Sequence, residues 1–258
     1  MAFTDSHTHL TLDAFDADRD AVIARAREAL RYVCTIGSLA RDAEAARDLS
    51  ERHDFLYWTA GLHPHDAKLW EPDSAARLES LARHPRLLAI GEIGLDYHYD
   101  HSPRDRQREV FAEQIRLARR LRLPIVIHTR EAHDDTLRIL DVEKAEEVGG
   151  VFHCFSGNAE MARFAVDHGF RISFSGSLTF KNAEELREVA RSVPPERLLT
   201  ETDAPFLSPH PHRGKRNEPA RVLEVVTKLA ELHAMSPQTM GDLTTRNFEQ
   251  AFPRLQAS

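Results

Sequence analysis

Short apolar runs alternate with longer helical patterns along almost the whole chain. The stretches between the runs place apolar side chains at three- and four-residue spacing, which is typical of amphipathic helices. This unbroken alternation of strand–helix pairs favours a closed (β/α)8 barrel over an open doubly wound sheet. Candidate strands begin near Phe3, Tyr32, Phe55, Leu87, Ile125, Val151, Arg171 and Leu198.

The strand-like runs are almost continuously apolar, as in Leu87-Leu88-Ala89-Ile90 and Ile125-Val126-Ile127. Such runs suit strands that are buried on both faces of a parallel sheet. Two further helices are expected at about 218–233 and 237–250. We therefore predict an α/β fold, a single (β/α)8 TIM-like barrel with an extra C-terminal helix, and one domain over residues 1–258. An open sheet would normally place a glycine-rich loop after the first strand, which this chain lacks.

Several predicted strands end in ionisable side chains, which a barrel collects at its C-terminal face, where active sites of this fold lie. Residues two apart in a strand point to one side, so the His7 and His9 imidazoles can converge. Burying so many ionisable side chains together costs free energy unless a cation compensates their charge, and there are more of them than one tetrahedral ion can bind. Two ions bridged by a carboxylate explain the set, whereas unrelated capping or core residues are the alternative. The segments are His7-Thr8-His9, Gly91-Glu92-Ile93-Gly94-Leu95-Asp96, His128, His153 and Glu201-Thr202-Asp203.

A second group of residues flanks these strand ends. His63 is followed by Pro64, which restricts the backbone, and Arg130 comes soon after His128. The loop 211–217 contains Arg213-Gly214-Lys215-Arg216, a candidate phosphate-binding run in an acidic protein. A solvated loop with ordinary surface charges is the alternative for that run.

The charge balance limits the possible partners. A formal charge of −7 and a pI near 6.1 argue against a protein that coats duplex nucleic acid, but allow a nuclease that holds one strand end in a narrow cleft. We expect a reduced, cytoplasmic protein, because only Cys34 and Cys154 occur and no secretory signal or apolar run of ~20 residues is visible. Strand alternation predicts that Cys154 points away from His153 as a small core residue.

Taken together, the motifs resemble the TatD-like family of metal-dependent deoxyribonucleases, which is related to the amidohydrolases. The similarity runs in order from residue 5 to residue 219, departing at Thr4 and Thr11. The matching segments are Asp5-Ser6-His7-Thr8-His9, Gly61-Leu62-His63-Pro64, Gly91-Glu92-Ile93-Gly94-Leu95-Asp96, Pro124-Ile125-Val126-Ile127-His128-Thr129-Arg130-Glu131-Ala132, His153-Cys154-Phe155-Ser156-Gly157, Glu201-Thr202-Asp203-Ala204-Pro205 and Arg213-Gly214-Lys215-Arg216-Asn217-Glu218-Pro219.

The resemblance implies hydrolysis of DNA phosphodiester bonds, often from the 3′ end. It places His7, His9 and Asp203 on one divalent ion and His128 and His153 on the other, with Glu92 bridging them. His63 and Arg130 would contact the substrate phosphate, and Asp203 is the expected proton acceptor from a water activated by two ions. Four imidazoles suit zinc or manganese, whereas nucleases of this family are usually regarded as magnesium-dependent.

Two other kinds of function compete with a single-strand or strand-end nuclease. One is an amidohydrolase or esterase that acts on a small molecule or on aminoacyl-tRNA. Many such barrels bridge two metals with a carbamylated lysine at the fourth strand, where this chain has Glu92, while Lys68 is distant from a strand end. The other is a non-catalytic scaffold, which the full set of candidate ligands disfavours. Neither a membrane nor a stable protein partner is expected.

Overall fold

The protein is described here by a computed structural model that covers residues 3–256. Its strands form one parallel sheet of eight members, and each strand pairs with the next one along the chain. Every strand begins within one residue of its predicted start. The strands are β1 (Thr4–Thr8), β2 (Tyr32–Ser38), β3 (Leu56–Gly61), β4 (Leu87–Asp96), β5 (Ile125–Arg130), β6 (Gly150–Phe152), β7 (Arg171–Phe174) and β8 (Leu198–Thr200).

The α-helices alternate with these strands, and the last helix is additional. The described residues include α1 (Arg19–Ala29), α2 (Ala43–Arg52), α3 (Ser74–Leu81), α4 (Arg104–Leu121), α5 (His133–Val142), α6 (Ala159–Asp167), α7 (Glu184–Ser192), α8 (Val222–Leu232) and α9 (Pro237–Ala251). The predicted fold class, a (β/α)8 barrel with an extra C-terminal helix, is confirmed. One domain over residues 1–258 stays a prediction, and residues 1–2 and 257–258 lie outside the described part. None of the described helices combines the length and hydropathy required to cross a membrane.

The first and last strands meet at their C-terminal ends and nearly close the barrel. A bridge joins Thr8 to Ala204, just beyond β8. The backbone N–H of His9 donates to the Ala204 carbonyl at 2.8 Å, and the N–H of Asp203 donates to the His7 carbonyl at 2.9 Å. These bonds hold the segment after β8 directly against the end of β1.

The opposite end of the barrel is filled by the extra helix. Phe248 of this helix and Phe252, which follows its last residue, are buried in the cluster that fills the barrel interior. The helix begins at a standard cap, because the Ser236 hydroxyl accepts the Thr239 N–H at 3.1 Å and Pro237 occupies the first helical position. The helix therefore covers the N-terminal ends of the strands and leaves their C-terminal ends open. The other members of the interior cluster are Cys34, Ile36, Tyr57, Leu88, Ala89, Val126, Val151 and Leu199.

Candidate metal centre

The six predicted ligands meet at the C-terminal ends of the strands. Three of them are buried, namely His7, Glu92 and His153. The other three, His9, His128 and Asp203, are partly exposed. His7, His128 and Glu92 lie within strands, whereas the other three ligands follow the end of a strand. The cluster thus has a buried floor and an open rim, as a site for an external substrate requires.

The position of Glu92 depends on an irregularity in β4. Gly91 pairs with Val126 and Ile93 pairs with Ile127, so Glu92 is an extra residue between two consecutive pairs. An extra residue of this kind bends a strand and changes the direction of its side chain. The Gly91–Glu92 peptide bond is cis. The extra residue in the strand directs the Glu92 carboxylate toward the centre of the cluster.

The two oxygens of Glu92 face two different sets of imidazoles. Its Oε2 lies 3.3 Å from Nε2 of His7 and 3.9 Å from Nε2 of His9. Its Oε1 lies 2.7 Å from Nε2 of His153 and 2.8 Å from Nδ1 of His128. A carboxylate that divides its oxygens between two groups of ligands has the arrangement needed to bridge two cations.

The histidine pair of β1 converges as the strand period predicts. The Nε2 atoms of His7 and His9 are 3.3 Å apart. Oδ1 of Asp203 lies 3.2 Å from Nε2 of His9 and 3.9 Å from Nε2 of His7. Two imidazole nitrogens and one carboxylate oxygen therefore face a common point.

The donor set fits divalent cations. Three overlapping triads each bring one ligand atom per residue within 4.8 Å of the others. Imidazoles mixed with carboxylates suit zinc and manganese, and carboxylates also suit magnesium. One triad includes His63, which sequence analysis assigned to substrate binding. The triads are His7, His9 and Glu92; His7, His153 and Asp203; and His63, Glu92 and His128.

The carboxylates of the cluster stay ionised despite their burial. Burial raises the pKa of Glu92, but nearby His153 and His63 and hydrogen bonds with His128 and His153 lower it well below its usual value. For Asp203, burial likewise raises the pKa, and His9 lowers it below the ordinary value. Both groups are therefore anionic near neutral pH and attract a cation.

The imidazoles divide into two kinds. Burial lowers the pKa of His63 to about 4, so this ring is neutral at pH 7. Burial also lowers the pKa of His128 and His153, but their carboxylate partners raise both above the ordinary value. A bound cation would replace the positive charge of those protons, since imidazole ligands must be deprotonated.

Two further carboxylates lie behind the imidazoles, and sequence analysis gave them no role. Oδ2 of Asp96 is 3.0 Å from Nε2 of His128. Oε1 of Glu201 is 3.3 Å from Nδ1 of His153 and accepts the backbone N–H of Cys154 at 2.6 Å. Both residues belong to segments that resemble the family. The position of Asp96 could have been predicted, because residues an even number of positions apart on a strand point to the same side and Asp96 lies four positions after Glu92.

The residues predicted around the ligands differ in their distance from the cluster. Nε2 of His63 lies 3.4 Å from Oε1 of Glu92, inside the cluster. The Arg130 guanidinium lies exposed over the Tyr99 ring at 5.0 Å. Cys154 was predicted from strand alternation to be a small core residue, but β6 ends at Phe152, so alternation does not apply and its side chain is only partly buried.

The basic loop contributes its arginines unequally. Arg213 is exposed, lies 3.8 Å over the Phe180 ring and donates to the Ser208 carbonyl at 3.0 Å. Arg216 forms a bidentate pair with Asp18, with N–O distances of 2.7 and 2.8 Å. Its guanidinium is thus already engaged by a carboxylate, and its substrate role stays a prediction that the salt dependence of hydrolysis tests.

Comparison with known proteins assigns the chain to a family. The family model described as TatD related DNase matches residues 4–253. The chain is 45% identical to the uncharacterized metal-dependent hydrolase YabD of Bacillus subtilis, covering 96% of this chain and 98% of the relative. It is 36% identical to a protein of Cronobacter sakazakii named 3′-5′ ssDNA/RNA exonuclease TatD, with 95% of each covered.

A solved structure agrees with this assignment. The TatD homologue YJJV of Escherichia coli superimposes with a TM-score of 0.91 at 30% identity, covering 97% of this chain and 98% of that one. Family, sequence and structural matches all extend over almost the full length. The chain therefore belongs to the TatD-related DNase family of metal-dependent hydrolases.

Proposed function

We propose that this protein removes nucleotides from the 3′ end of single-stranded DNA by hydrolysing phosphodiester bonds at a two-metal centre. The observation that carries the proposal is the division of the Glu92 oxygens between two sets of imidazoles. The names of two relatives, at 36% and 38% identity, support a 3′-5′ exonuclease on single strands.

Each residue of the cluster has a distinct role in this proposal. His7, His9 and Asp203 would hold one divalent ion, His128 and His153 the other, and Glu92 would bridge them. Magnesium, manganese and zinc are the candidate ions. When bound, the ions supply charge neutralisation of the phosphodiester and a water of lowered pKa.

The remaining chemistry belongs to the side chains. Asp203 is anionic and only partly buried, so its second oxygen, Oδ2, can accept a proton from a water beside the substrate while Oδ1 faces the ion. His63 and Arg130 would bind the non-bridging oxygens of the phosphodiester and stabilise their developing charge. The buried floor keeps bulk water from the rear of the reacting group.

Hydrolysis of a 5′-labelled single-stranded oligomer tests the proposal. The chelated protein is assayed with Mg²⁺, Mn²⁺ or Zn²⁺, and we expect a metal-restored ladder that shortens from the 3′ end. A 3′-blocked oligomer should resist cleavage. Cleavage inside the blocked oligomer would replace the exonuclease assignment with an endonuclease, and no cleavage with any ion would overturn the proposed substrate in favour of small esters, amides or aminoacyl-tRNA.

Glu92→Gln supplies the test of the bridge. The amide keeps the shape of the side chain but removes the charge that two cations would share, so we expect metal stoichiometry to fall from two ions to at most one. Hydrolysis should fall by about 10²-fold or more, the order seen when one group that stabilises transition-state charge is lost. Glu196→Gln, at an exposed glutamate, is the matched control. Titration calorimetry measures the stoichiometry, and undiminished turnover with normal circular dichroism would refute the bridge.

A further inference from the structure

An exposed aromatic ring stands at the rim of the metal centre. The Phe206 side chain is 53% exposed, although its centroid lies only 6.0 Å from the ring of His9. Its rim position follows from the chain, because it comes three residues after Asp203. A large apolar ring that stays in water beside a catalytic centre is the kind of surface that a ligand covers.

The backbone beneath this ring is fixed by buried groups. The Phe206 N–H donates to the Asp203 carbonyl at 2.9 Å. The fully buried Asn217 side chain donates to the carbonyls of Phe206 at 2.8 Å and Thr202 at 2.9 Å. The backbone that carries the ring is thus held in place before any ligand arrives, which lowers the entropy cost of binding.

In the part of the chain that the structure describes, no cation or stacked ring covers Phe206, unlike the comparably exposed Tyr99. Tyr99 is 50% exposed, but Arg130 lies over its ring at 5.0 Å and His101 stacks on it at 5.5 Å. Among the described residues, the ring contact recorded for Phe206 is with His9, at an interplanar angle of 70°. At this angle His9 can engage at most one face of the ring, which leaves the other face for a planar group.

We propose that Phe206 is a stacking platform for an unpaired nucleobase next to the phosphodiester that is hydrolysed. This inference rests on the proposed function, because a nucleobase is the planar group that lies beside a DNA phosphodiester. Stacking on an aromatic side chain tolerates every base but requires one that is unpaired. The ring therefore selects single-stranded ends without selecting sequence.

Paired substrates with and without bases test the platform. Short thymidine oligomers are compared with oligomers that carry abasic residues at the 3′-terminal or penultimate position. For Phe206→Ala, the ratio of kcat/KM between base-bearing and abasic oligomers should fall about 5- to 100-fold relative to the wild type. Phe206→Trp should keep the ratio, and Phe206→Leu should lose it, because leucine is apolar without a ring face.

Val142→Ala is the matched control, since Val142 is 65% exposed at the end of α5 that faces away from the site. An unchanged ratio in Phe206→Ala would overturn the platform. If the unchanged ratio came with equal losses of kcat/KM on both oligomers, the ring would only support His9.

Binding without turnover separates this inference from the proposed function. Fluorescence anisotropy of 5′-labelled oligomers in EDTA compares base-bearing and abasic strands with wild type and Phe206→Ala. A wild-type preference for the base-bearing strand that the variant loses supports the platform, even where no metal restores cleavage. Equal binding of both strands by the wild type contradicts the platform, even where cleavage is observed.

Discussion

At the scale of single residues, Asp96 defines how His128 is presented. Its Oδ2 lies 3.0 Å from Nε2 of His128, and its Oδ1 accepts the backbone N–H groups of His98 at 3.1 Å and Tyr99 at 2.9 Å. A buried carboxylate fixed on both oxygens holds the imidazole in one tautomer, with Nε2–H donating to Asp96. The other nitrogen, Nδ1, is then free to bind a cation near Glu92.

We therefore predict that Asp96→Asn weakens metal binding without unfolding the protein. The amide is a poorer acceptor for Nε2–H, so His128 loses orientation and basicity, and affinity for Mn²⁺ should fall about 10- to 100-fold. Turnover at saturating Mn²⁺ should recover much of the wild-type value. Titration calorimetry measures the affinity, and the exposed Asp167→Asn serves as control. Wild-type Mn²⁺ affinity in Asp96→Asn would show that Asp96 has no positioning role.

The candidate ligands could be predicted from the sequence, whereas not all of the carboxylates that orient them could. The two-residue period of a strand is enough to bring His7 and His9 together, and the structure places their Nε2 atoms 3.3 Å apart. Glu201 could not be assigned in this way, because it lies past the end of β8 and its partner His153 lies past the end of β6. Contacts between two irregular segments depend on the closed barrel rather than on local spacing.

At the scale of elements, β4 and β5 approach each other closely at Gly94. Gly94 pairs with His128 and has a φ of +144°, in a region that favours glycine. A Cβ built on Gly94 would lie 1.9 Å from the carbonyl oxygen of His128. Only a residue without a side chain can therefore hold the two strands in register beside the site.

Gly94→Ala should separate these strands and destabilise the barrel. Backbone strain together with overpacking predicts a loss of about 3 kcal/mol or more in the free energy of unfolding. The matched control is Gly149→Ala, where φ is +64° and no heavy atom lies within 4 Å of the added Cβ, so the loss should be about 1 kcal/mol. Urea denaturation measures both, and equal losses would contradict the close approach.

The positions of the strands were predictable, whereas the irregularity in β4 was not. Apolar runs fix where a buried strand begins, so Leu87, Ile125 and Leu198 start their strands as expected. The extra residue at Glu92 follows from the register between β4 and β5, which requires both strands to be in place. A motif can identify such a residue as a candidate ligand, but the direction of its side chain depends on how the two strands pair.

At the scale of the whole molecule, the net negative charge disfavours the binding of nucleic acid. The formal charge is −7, so the overall field repels a polyanion, and binding must depend on local cationic groups. Arg130 and Arg213 are exposed near the mouth of the barrel, whereas Arg216 is paired with Asp18. The net charge alone predicted that the protein does not coat duplex nucleic acid. Which of its arginines are already paired with a carboxylate is visible only in the structure.

The salt dependence of hydrolysis should reflect this small number of contacts. Each neutralised phosphate of a single strand contributes a slope of about −0.7 to the logarithm of affinity against the logarithm of salt, so two arginines predict about −1.4. Arg213→Gln should reduce the magnitude by about 0.7, while Arg216→Gln should leave the slope unchanged because its guanidinium is held by Asp18. The measurement is kcat/KM on a short oligomer at several KCl concentrations and fixed divalent ion. A slope several times steeper, or equal effects of the two substitutions, would instead indicate an extended basic track that includes the whole loop.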